Sequence, residues 1–132
     1  MLSTSNVVCF VATARPTEAK RFYQEILGLS MLEDSPAALV FDANGTELRV
    51  QKVQTVSAAP YTQLGWHVGN IVAVARRLSE QGVPLERYDG LLQDELGLWT
   101  APDGARVAWF RDPDGNTLSL TQRGEVPWRR SA

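Results

Sequence analysis

Two stretches in opposite halves of the chain follow one pattern, and this repetition constrains the fold more than any other feature. The later one runs from Ala105 to Thr121. In it, Val107, Trp109 and Phe110 carry strand-forming side chains, and Leu118 and Leu120 alternate with Thr117, Ser119 and Thr121. Between them, Asp112-Pro113-Asp114-Gly115-Asn116 is dense turn chemistry. Proline presets φ, Asp closes local turns and Gly accepts left-handed backbone. The earlier stretch is Phe41-Asp42-Ala43-Asn44-Gly45-Thr46-Glu47-Leu48-Arg49-Val50-Gln51. With Gly45 laid on Gly115, Leu48 falls on Leu118, Arg49 on Ser119 and Val50 on Leu120. Two such hairpins imply a duplicated module.

The segments before each hairpin repeat as well. Asn6 to Ala12 is a short apolar, β-rich run. Pro16 and Glu18 suit a first helical turn; Ala19, Phe22, Tyr23, Ile26 and Leu27 recur at helical spacing, and Gly28 ends the helix. Phe22 and Tyr23 are expected in the core. A strand over Leu29–Leu32 and a turn near Asp34-Ser35-Pro36 lead into the first hairpin. After a joint at Val56–Pro60 the pattern restarts: a strand over Tyr61–Val68, then a helix capped by Asn70. Ile71, Val74, Ala75 and Leu78 form its apolar face, Gly82 stops it, and a short strand is expected at Val83-Pro84-Leu85. Arg87 to Asp103 has no counterpart in the first half; Leu96, Leu98 and Trp99 mark it as a folded flap. A tail containing Trp128 follows the last strand and could dock on a partner.

The fold class is therefore α+β: two βαβββ modules, residues 1–58 and 59–132, forming a concave mixed sheet with the helices on its outer face. Such a unit leaves one sheet face uncovered by its own helix, and that face is expected to line a pocket.

Composition narrows the partners. A net charge of −2, without a basic run, argues against nucleic acid. No stretch reaches the roughly 18 apolar residues of a membrane span, and no leader is visible, so a cytoplasmic location is expected. The single cysteine, Cys9, lies in an apolar run and is read as core filler.

Alternation along the strands assigns Val8, Phe10, Glu47, Arg49, Gln51, Gln63, His67, Val107, Trp109, Thr117, Ser119 and Thr121 to the pocket face. Leu48, Val50, Trp66, Phe110, Leu118 and Leu120 go beneath the helices. Phe10 and Trp109 offer stacking surfaces. Arg49 offers a cationic donor fork, or else pairs with Glu47. Gln63 and Ser119 add neutral hydrogen-bonding groups.

The doubled module, the Arg21-Phe22-Tyr23-Gln24-Glu25-Ile26-Leu27-Gly28-Leu29 helix end and the late Phe110-to-Asn116 motif together resemble the vicinal oxygen chelate superfamily. That superfamily includes glyoxalase I, extradiol dioxygenases, fosfomycin-resistance transferases and bleomycin-resistance proteins. The resemblance implies a fold, not one chemistry. Its metal-dependent members use His and Glu, and the matching positions here are Val8, Arg49, Gln63 and Ser119. None is a good ligand, so no metal and no other cofactor is expected. The expectation is instead a homodimeric protein that sequesters an aromatic or amphipathic metabolite or antibiotic, through Phe10, Arg49, Gln63, His67, Val107, Trp109 and Ser119. Bleomycin binders of the family are markedly acidic; a charge of −2 favours a neutral or weakly charged aromatic ligand. The alternative is a metal-free lyase or isomerase with His67 as general base and Tyr88, Asp94 or Glu95 as its partner.

Overall fold

The structure is a computed structural model that describes residues 1–124; Trp128 and its expected docking role lie outside the described residues. The chain divides into two compact units. The first comprises Met1–Pro60 together with Asp112–Asn116, and the second Tyr61–Arg111 and the chain from Thr117 onward.

In the first unit, β1 (Val8–Thr13), β2 (Ser30–Asp34), β3 (Ala38–Ala43) and β4 (Thr46–Lys52) form a four-stranded sheet in the order β1-β4-β3-β2. β1 runs parallel to β4 and the other pairs are antiparallel. The β3–β4 hairpin closes through Asn44 and Gly45, whose φ values of 53° and 91° are those of a type I′ turn. The helix α1 (Pro16–Arg21) starts with proline in its first turn, as expected. It then departs from expectation. Phe22–Ile26 is a π-helical turn, with Leu27 N–H donating to Phe22 O at 2.9 Å. The wider turn accommodates two consecutive buried aromatics, Phe22 and Tyr23, where a uniform α-helix would turn one of them outward. Gly28, at φ 76°, ends the segment. Tyr23 packs against Phe41 of β3 at a ring separation of 5.9 Å, so the helix covers the face carrying Leu39, Phe41, Leu48 and Val50.

The second unit repeats the arrangement. β5 (Leu64–His67), β6 (Trp99–Thr100), β7 (Arg106–Arg111) and β8 (Thr117–Gln122) form a sheet in the order β5-β8-β7-β6, with β5 parallel to β8. Phe110 pairs with Leu118 as Phe41 pairs with Leu48, so the two hairpins occupy equivalent places. α2 (Ile71–Glu80) is capped by Asn70, whose Oδ1 accepts from Ala73 N–H at 3.1 Å. Its Ile71, Ala75 and Leu78 are buried.

The third strand of this module is not where the sequence places it. Val83–Leu85 forms no strand; Pro84 has no N–H to offer a ladder. The adjoining chain meets the sheet through the bond from Glu86 N–H to Trp109 O, at 2.7 Å. The pairing strand is Trp99–Thr100, inside the flap, with Trp99 opposite Val107. The flap thus has a counterpart in the first module after all: it contains the strand equivalent to β2.

The turn Asp112–Asn116 belongs to the first unit, where it makes a buried polar cluster. Tyr23 Oη donates to Asp112 Oδ2 at 2.7 Å, and Asn116 Nδ2 donates to the same oxygen at 2.8 Å. Asp112 Oδ1 accepts from the N–H groups of Asp114 and Asn116. Asn116 Nδ2 also donates to Ala12 O of β1, and Asp114 accepts from Thr13 Oγ1 and Ala14 N–H. Burial pushes the Asp112 carboxyl up, against the lowering by its donors. Burial and the neighbouring Asp112 charge push the Tyr23 phenol well above its usual range.

Candidate functional site

Register decides which side chains share a face, because partners across a ladder point the same way. On the second sheet one row is Trp99, Val107, Thr121 and His67. The next row is Trp109, Ser119 and Gly65. Gln63 continues it at the β5 entrance, where its N–H donates to Thr117 O at 2.9 Å. The opposite face carries Trp66, Phe110, Leu118 and Leu120, with Trp66 stacked on Phe110 at 6.4 Å. The five second-unit residues expected to meet a ligand, Gln63, His67, Val107, Trp109 and Ser119, therefore stand together on the helix-free face.

Two neighbours make this face more aromatic than the sequence suggests. Trp99 lies against Trp109 with ring centroids 6.2 Å apart and planes at 34°. Tyr88 meets Trp109 edge-on, at 5.4 Å and 85°. Neither was assigned to ligand binding from sequence, because both sit in the flap, whose path periodicity does not reveal. The missed signal is Trp99 as a β-forming residue that follows the turn residues Asp94 to Gly97.

The flap is held by its own polar groups. Gln93 Nε2 donates to Glu86 O and Gly97 O, and its Oε1 accepts from Tyr88 N–H. Asp94 Oδ1 accepts from the N–H groups of Leu96, Gly97 and Leu98. Burial tends to raise the Asp94 carboxyl, but these donors and nearby Arg106 outweigh it and hold the group below its usual range. Leu98 is buried beneath the turn.

On β5 and β8 of the same sheet, Gly65, Trp66, His67 and Thr121 line an open depression of 250 Å³. The missing side chain at Gly65 is required there: a Cβ would lie 2.5 Å from Ser119 Oγ. His67 is exposed. Among the described residues no hydrogen bond joins it to Tyr88, Asp94 or Glu95. Asp94 is committed to the flap backbone and Tyr88 to Trp109, which leaves the acid–base pair expected under the alternative reading without a formed partner.

On the first sheet, Val8 lies opposite Glu47 and Phe10 opposite Arg49, all on the face away from α1. Phe10 is 57% exposed. Arg49 Nη1 donates to Glu47 Oε2 at 3.1 Å, so the salt bridge competes with any ligand anion for the guanidinium. Both partners are partly exposed, and the pair adds little to stability, about 0–1 kcal/mol. Cys9, opposite Leu48, sits on the helix side of β1 and is partly shielded.

The chemistry of these side chains does not suit a metal. Val8 has no donor atom, Arg49 is a cation already paired, and Gln63 and Ser119 are neutral and weakly coordinating. Among the described residues, no group of three or more His, Cys, Asp or Glu stands where it could hold an ion.

Comparison with known proteins fits this architecture. Residues 6–120 match the family model described as the Glyoxalase/Bleomycin resistance protein/Dioxygenase superfamily, and the chain belongs to that superfamily. None of the curated proteins compared matches the sequence. Among solved structures, a lactoylglutathione lyase from Agrobacterium tumefaciens is similar at a TM-score of 0.71 and 16% identity, over 91% of this chain and 95% of that one. A fosfomycin resistance protein from Listeria monocytogenes gives 0.72 at 11% identity, over 92% and 95%. A glyoxalase family protein from Enterococcus faecalis gives 0.65 at 25% identity, over 92% and 99%. These likenesses carry the fold. Among the described residues, no helix is long and apolar enough to cross a membrane.

Proposed function

We propose that the protein captures a small planar aromatic molecule, a metabolite or an antibiotic, and does so without a metal ion. The observation that carries this reading is the aromatic face of the second sheet. Trp109, flanked by Trp99 and Tyr88, shares its sheet face with Thr121 and His67, which also line a 250 Å³ depression on β5 and β8 and offer polar anchors; Ser119 on the same face is buried. A mostly apolar surface with few polar groups is what a small ligand needs. The resistance protein among the structural relatives makes an antibiotic a reasonable member of the ligand class. On the first sheet, Phe10 and Arg49 are a separate candidate contact pair, with Arg49 offering its remaining donors to a carbonyl or phenolate oxygen while Glu47 orients it. A homodimer is part of the proposal, and sedimentation mass reads it directly.

Two variants separate capture from catalysis. Calorimetric titration with candidate aromatics should show binding that survives His67→Ala and is lost in Trp109→Ala. Turnover abolished by His67→Ala, with binding intact, would establish the enzyme reading instead.

A further inference from the structure

We propose that Tyr88, Trp99 and Trp109 form a subsite selective for a singly cationic, electron-poor planar ring. This deepens the capture reading and rests on it. Three electron-rich rings meet on one sheet face, with Trp109 in contact with both others. Tyr88 remains 36% exposed, and Trp99 and Trp109 are half-buried, so ring surface is left for a ligand. Among the described residues no hydrogen bond reaches the Tyr88 hydroxyl.

Each arginine around the group has an acceptor of its own. Arg111 is held by Glu86 at 2.8 Å, Arg106 by Asp94 at 3.5 Å, and Arg87 donates to the carbonyls of Asp94 and Glu95. Each neighbouring guanidinium is thus turned to an acceptor in its own surroundings. Two charges are felt at Tyr88: its phenol is raised first by burial and then by the Glu86 carboxylate, while the Arg111 guanidinium acts in the opposite direction. Ring faces carry negative electrostatic potential, so they attract a positively charged ring and gain less from an anionic one. The net charge of −2 is too small to make this preference by itself; it must arise locally. The flap supplies the selectivity. Gln93 ties Glu86, Tyr88 and Gly97 together and so fixes the distance between the two flap aromatics.

One ring carried at three charges tests the inference: quinoline, N-methylquinolinium and quinoline-2-carboxylate, titrated by calorimetry at neutral pH, at low salt and again at about 0.5 M salt, where long-range attraction is screened. The expected result is that N-methylquinolinium binds about fivefold tighter than quinoline at both salt concentrations, and that the carboxylate binds weakest. In Tyr88→Leu the preference should fall to about twofold or less, and Tyr88→Phe should restore it. Thermal unfolding of each variant verifies that the fold is intact. If quinoline and the carboxylate bind as well as the cation, capture stands and the inference is overturned. A preference that vanishes at high salt also overturns it. If none of the three binds, the capture reading itself fails, and the inference with it.

Discussion

Each unit carries a tyrosine close to acidic and aromatic neighbours, and the two have opposite fates. In the first, Tyr23 is wholly buried and its hydroxyl is bonded to Asp112, which in turn receives donors from Asn116 and the turn backbone. Both Asp112 carboxylate oxygens and the Tyr23 hydroxyl are engaged, which makes the cluster rigid and costly to disturb. In the second, Tyr88 is 36% exposed and edge-on to Trp109, and among the described residues no hydrogen bond reaches its hydroxyl. The contrast separates structure from recognition. The Asp-Pro-Asp-Gly-Asn run, the most recognisable motif in the sequence, is a fastening, and the flap, the least recognisable stretch, carries the exposed aromatics proposed to meet a ligand.

Removing the fastening should therefore have the largest effect on stability and the least on ligand chemistry. Asp112→Ala leaves the Tyr23 hydroxyl and two backbone N–H groups without their acceptor and takes one of the two acceptors of the Asn116 amide; unfolding in urea should show a loss of about 3 kcal/mol or more. Trp109→Ala should do the reverse. It should weaken binding of quinoline-type ligands about tenfold or more, while the half-buried site keeps the loss of stability smaller than in Asp112→Ala.

Tyr23→Phe sharpens the comparison at the level of a single hydroxyl. Asp112 keeps its other donors, and the expected cost is about 1–2 kcal/mol by urea unfolding at neutral pH. The same pair of proteins should respond differently to alkali. The Tyr23 phenol is raised in the folded state, so its contribution is fully present below the unfolded value near 10 and is lost as pH rises toward the folded value. The advantage of the wild type over Tyr23→Phe should therefore shrink above about pH 10. Arg49→Met, at an exposed ion pair, should change stability by less than about 1 kcal/mol. Last, addition of zinc or nickel should leave the thermal midpoint unmoved, because the side chains at Val8, Arg49, Gln63 and Ser119 give such an ion nothing to bind.

Much of this molecule is legible in its sequence, and the limits have physical reasons. Alternation placed Leu48, Val50, Phe110 and Leu118 against the helices because a strand with one buried face must repeat every second residue. Asn70, Gly28 and Gly82 marked helix ends through local chemistry that tertiary packing did not override. The π turn at Phe22–Ile26 escaped notice because it preserves an apolar helical pattern while changing its pitch. β6 is expected at Val83-Pro84-Leu85 because that segment follows the helix as the repeat demands, although Trp99-Thr100 has the better strand composition, and nothing local says where the flap returns to the sheet. Trp109 and its strand neighbours could be assigned to a face; Tyr88 and Trp99 could not, since their positions depend on the path fixed by Gln93 and Asp94.

The four tryptophans offer the most direct test of the account. In a two-dimensional proton–nitrogen NMR spectrum each indole N–H gives its own signal, assigned by single Trp→Phe variants. Titration with N-methylquinolinium should move the Trp99 and Trp109 signals saturably and together, with backbone shifts confined to the flap and the strand Leu64–His67. Saturable shifts elsewhere, with Trp99 and Trp109 unmoved, would contradict it.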